Sequence, residues 1–76
     1  MSKVNVLIIE DTPAESEALV KVLTQNNYAI AGVATTFSDA LALFYKNTVD
    51  IVIIDVFLNG SPEGITFAET INITPD

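Results

Sequence analysis

Apolar and polar positions alternate in blocks along the chain. Val4 to Ile9 is apolar apart from Asn5, which suits a strand buried on both faces. Thr12-Pro13-Ala14-Glu15 then opens a helix: Thr12 can cap, Pro13 suits the first helical position, and Glu15 can complete a capping box. Ala18, Leu19, Val22 and Leu23 recur at helical spacing and predict its buried stripe. Asn26-Asn27 ends the helix, and Tyr28 to Ala34 reads as a second strand with Gly32 as a weak point. Thr36 or Ser38 can cap a second helix whose apolar face is Ala40, Leu41, Phe44 and Tyr45, closed by Asn47-Thr48. Val49 to Ile54 is the third strand. It contains the β-branched run Ile51, Val52, Ile53, Ile54, and Asp55 follows at once. Ser61-Pro62 opens a third helix through Ala68 and Ile71, before Thr74-Pro75-Asp76.

The order β-α-β-α-β-α with short connections implies parallel strands joined by right-handed helical crossovers. The 76 residues suit one small domain, and nothing in them reads as a linker, repeat or low-complexity segment. Three strands are few for this architecture, whose common doubly wound form has five.

Composition narrows the chemistry. Half of the residues are apolar and the mean hydropathy is positive. A domain of this size buries only about 60% of its unfolded surface. Either its core is dense, or it is built to bury more surface than it can alone. With no Cys and no His, thiol chemistry and the usual general base are excluded, and any metal must be hard and oxygen-bound. Ten acidic residues against three Lys give a net charge of -7, which disfavours direct nucleic-acid binding. No apolar run approaches the ~20 residues of a membrane span. "MSKVNVLIIED" is broken by Glu10-Asp11 and reads as a first strand, not a signal peptide. A cytoplasmic protein without membrane contact is therefore expected.

In a parallel sheet, ligands bind outside the carboxyl ends of the strands, where the strand order reverses. Glu10 and Asp11 end the first strand and Asp55 ends the third. Strand order 2-1-3 makes those strands neighbours, so the three carboxylates converge. Their repulsion favours a cation among them, and few hard oxygen ligands with room for water suit Mg²⁺. The plainer alternative is that strand-end carboxylates cap the next helix or face water. That reading applies to Glu15, Glu17, Asp39, Asp50, Glu63, Glu69 and Asp76. Lys3, Lys21 and Lys46 fall at the opposite end of the sheet from the acidic group.

Two stretches, "VLIIEDTPAESEALVKVL" and "DIVIIDVFLNGSPEGITFAE", together resemble the receiver domain of two-component response regulators, and so does the 44-residue step from Asp11 to Asp55. The resemblance covers the whole chain. It implies the N-terminal part of a flavodoxin-like doubly wound sheet, in which Glu10, Asp11, Asp55 and the main-chain carbonyl of Phe57 hold Mg²⁺. It implies that Asp55 takes a phosphoryl group from a sensor histidine kinase or phosphotransfer protein. The resemblance thus implies a signalling phosphoacceptor, not an enzyme acting on a separate substrate. Asn59-Gly60 replaces the common Pro-Gly after Asp55, and Ser61-Pro62-Glu63 lengthens that loop by one residue. The family's fourth and fifth strands, with their Ser or Thr and their Lys, would follow "NITPD", so a truncated receiver is expected. A phosphorylation-independent interaction module with the same fold is the alternative. A phosphatase of the D-x-D type is disfavoured because Phe57 stands two residues after Asp55. A flavin site lacks its phosphate-cradling loop. A third strand left at the sheet edge predicts homo-oligomers through that edge.

Overall fold

The structure, a computed structural model, describes residues 3–55. They form β1 (Asn5–Ile9), α1 (Pro13–Gln25), β2 (Ala29–Ala34), α2 (Phe37–Lys46) and β3 (Ile51–Ile54). The strands are parallel and ordered β2-β1-β3, as expected from the sequence. The proposed third helix and Phe57 lie outside the described residues.

β1 is the central strand, paired with β2 on one side and β3 on the other. Val6, Leu7, Ile8 and Ile9 are fully buried. Each such side chain contributes roughly 1.5–3 kcal/mol over leaving it in water. Side chains alternate along a strand, so Leu7 and Ile9 share one face and Val6 and Ile8 the other. Leu7 and Ile9 form a core with Ala34 and Ala40, packed by Phe37, Leu41, Leu43, Phe44, Val49, Val52 and Ile54. Right-handed crossovers that step from β1 to β2 and then back across to β3 put α1 and α2 on opposite faces.

Both helices are rotated slightly from their predicted faces. On α1, Ser16 is buried and Leu19, Val20 and Leu23 are half-buried, whereas Ala18 is exposed and Val22 is 56% exposed. The pattern misled because Ser16 is polar. Its hydroxyl donates to the Pro13 carbonyl oxygen at 3.0 Å, so it can face the sheet without an unsatisfied group. On α2 the inward positions are Phe37, Ala40, Leu41 and Phe44, with Leu43 beside them. Tyr45, expected on that face, is 70% exposed and stands edge-on to Phe44 with ring centroids 5.3 Å apart.

The weak point at Gly32 has a packing cause. A Cβ there would lie 2.9 Å from Leu43 Cδ1, so a side chain at this position would push the end of Leu43 aside. The β1–β2 register skips Ala31 just before this glycine, where Val6 pairs with Ile30 and Leu7 with Gly32.

The helix ends follow local rules in three of four cases. Thr36 caps α2 by accepting the Asp39 amide at 3.2 Å. Asn47 ends α2 by donating its side-chain amide to the Leu43 carbonyl at 2.9 Å. α1 stops in a Schellman motif: the amides of Tyr28 and Asn27 donate to the carbonyls of Leu23 and Thr24, and Asn27 takes φ 71°. The N-terminus of α1 departs from expectation, and it borders the acidic group.

Candidate functional site

The strand ends are tied together by main-chain bonds. The Glu10 amide donates to the carbonyl of Ala34 at 3.0 Å, and the Asp55 amide donates to that of Ile9 at 2.8 Å. Glu10 is thereby fixed between β1 and β2, and Asp55 beside the end of β1. The sequence-predicted trio comes together. One carboxylate oxygen from each of Glu10, Asp11 and Asp55 lies within 4.8 Å of the others. Glu10 is buried, at 8% exposure, and Asp11 and Asp55 are half-buried.

Glu10 sits in the poorest environment for a charge. Burial pushes its carboxyl above the ordinary value of 4.5. The Thr12 amide, which donates to Glu10 Oε1 at 3.1 Å, opposes that shift, while contact with Glu15 and the charges of Asp55 and Glu15 add to it.

The same bond overturns the expected capping box. In a capping box the third helical residue, here Glu15, reaches back to the amide of the cap residue. That amide belongs to Thr12, and Glu10 takes it instead. Nor does the Thr12 side chain cap the helix; its hydroxyl donates to Asp11 Oδ1 at 3.5 Å. Pro13 does occupy the first helical position as predicted. The signal T-P-A-E encodes only a helix start, because a carboxylate two residues upstream is not part of that pattern.

The remaining carboxylates divide as expected where they are described. Glu15, Glu17 and Asp39 are exposed. Asp50, also exposed, accepts the Asn5 amide at 2.8 Å at the far end of the sheet, where it closes the start of β1. Lys3 precedes β1, Lys21 lies in the later part of α1 and Lys46 ends α2, so the elements carry all three away from the acidic edge. Three anionic oxygens within a few ångströms, one of them desolvated, fit a small hard cation.

Residues 6–76 match the family model of the response regulator receiver domain. The chain belongs to that family. Among relatives, the transcriptional regulatory protein MalR of Bacillus subtilis (strain 168) is 31% identical over 58 residues, 75% of this chain and 25% of that protein. The chain thus spans about a quarter of that relative's length. No solved structure matches at a comparable level. As a receiver domain, the chain is a signalling module of two-component systems, and its acidic edge lies where such a parallel sheet builds ligand sites. No helix among the described residues is long and apolar enough to cross a membrane.

Proposed function

We propose that Asp55 is the phosphoacceptor of this receiver domain. On this reading Glu10, Asp11, Asp55 and the Phe57 carbonyl hold Mg²⁺, and the donor is a phosphohistidine on a sensor kinase or phosphotransfer protein. The observation that carries this reading is the convergence of Glu10, Asp11 and Asp55 at the carboxyl ends of two adjacent strands.

The three carboxylates are not equivalent. Glu10 is buried and engaged by the Thr12 amide, so it is poorly placed to attack an incoming group. Asp55 is half-buried and directly follows the end of β3. A carboxylate oxygen of Asp55 attacks phosphorus, and a P–O bond forms as the P–N bond to the donor imidazole breaks. The bonding pair stays on that nitrogen, and the ring leaves as neutral imidazole when its other nitrogen carries a proton. The product is an acyl phosphate. Glu10 and Asp11 would repel the transferred group by themselves; bound Mg²⁺ supplies the compensating charge.

Incubation with acetyl phosphate and Mg²⁺ should add one phosphoryl mass to the protein, and mapping should place it on Asp55. Asp55→Asn should abolish the addition. Full labelling of that variant at another residue would remove Asp55 from the mechanism.

A further inference from the structure

Thr12 occupies the cap position of α1, with extended backbone angles of φ -98° and ψ 110°. A threonine there ordinarily turns its hydroxyl oxygen toward the second or third amide of the helix. Thr12 does not. Its hydroxyl instead donates to Asp11 Oδ1 and its amide to Glu10 Oε1. One residue thus contacts both members of the acidic pair, and its side chain gives up its usual task in the helix to do so.

We infer that Thr12 is a positioning residue for the cation site, bracing Asp11 through its hydroxyl and Glu10 through its main-chain amide. The inference rests on the reading of Glu10, Asp11 and Asp55 as Mg²⁺ ligands. Asp11 is only half-buried and follows the strand by two residues, so its carboxylate has rotamers that point away from Asp55. A hydroxyl donor beside Oδ1 removes part of that freedom. Glu10 is held in the same way, with Oε1 on the Thr12 amide. Outer partners of metal ligands act by this kind of orientation, and their loss typically weakens metal binding about 10–100-fold. The Thr12–Asp11 contact is exposed and long at 3.5 Å, which places its expected effect below that range.

Calorimetric titration of Mg²⁺ into the full chain and its Thr12→Val and Thr12→Ser variants tests this, together with thermal melts without metal. Val keeps the shape and loses the hydroxyl, and Ser restores it. Thr12→Val should weaken Mg²⁺ binding by roughly 3–10-fold, and Thr12→Ser should return it to the original affinity. The metal-free melts should coincide, because the hydroxyl holds no helix amide; a lost cap in so small a domain would lower the midpoint by about 4–8 °C. Unchanged Mg²⁺ affinity in Thr12→Val, or a metal-free melt lowered by that much, overturns the positioning role and leaves the site itself standing. Failure of the unsubstituted protein to take up Mg²⁺ overturns the site and the positioning role together.

Discussion

Glu10 shows how a single residue can oppose the fold it sits in. Its folded-state carboxyl titrates above 4.5 because burial disfavours the charge. Between 4.5 and that higher value, the folded protein holds a proton that the unfolded chain has released. Stability therefore falls as pH rises through this window, and the loss persists at neutral pH. Glu10→Gln keeps an oxygen for the Thr12 amide and removes the charge. In metal-free buffer the variant should melt above the parent at pH 7, and the difference should vanish below pH 4.5. On the proposal that Glu10 is a Mg²⁺ ligand, added Mg²⁺ should shift the order toward the parent. Melting curves across pH, with and without Mg²⁺, check both statements. A variant less stable than the parent in metal-free buffer at pH 7 would mean that burial does not penalise Glu10.

At the scale of the element, α1 is fixed at its two ends by different means. Its C-terminus depends on Asn27 at φ 71°, a region that favours Gly and tolerates Asn but strains a β-branched side chain. Asn27→Gly should be neutral or stabilise by a few tenths of a kcal/mol, whereas Asn27→Val should cost about 1–2 kcal/mol. Denaturant midpoints of the three proteins measure this; equal midpoints would mean that the Schellman motif contributes nothing. The N-terminus of α1 relies on Pro13 and on Thr12 main-chain bonds, since the Thr12 carbonyl accepts from both Glu15 and Ser16. A helix anchored this way leaves the Thr12 side chain available to the acidic pair.

At the scale of the molecule, the sheet has one strand buried on both sides and two strands at its margins among the described residues. β3 is hydrogen-bonded there to β1, and Ile51 is 43% exposed. An apolar margin of this kind pairs with other chains. With β3 unpaired on its outer side, the chain would associate, most simply as a two-fold dimer through β3, with its charge of -7 limiting larger assemblies. Sedimentation over a range of concentrations measures it. A folded monomer at every concentration would show that this unit closes its own core.

The five described elements, their order and the residues of the acidic trio were legible in the chain. Those features are local or topological: strand periodicity marks Val6 to Ile9, Pro13 and Asn26-Asn27 mark the ends of α1, and parallel crossovers force strand ends to one edge. Which helix faces turn inward, and how the trio is held, depend on packing in three dimensions. Ser16 could be buried only because a carbonyl of its own helix satisfies its hydroxyl, and Tyr45 turned out because Phe37, Ala40, Leu41 and Phe44 already fill the inner face. The Glu10–Thr12 bond displaced the capping box because a desolvated carboxylate needs a donor more than an exposed helix start does. Such competition between groups for one amide depends on distances and solvent exposure, which a one-dimensional pattern of residue types does not encode.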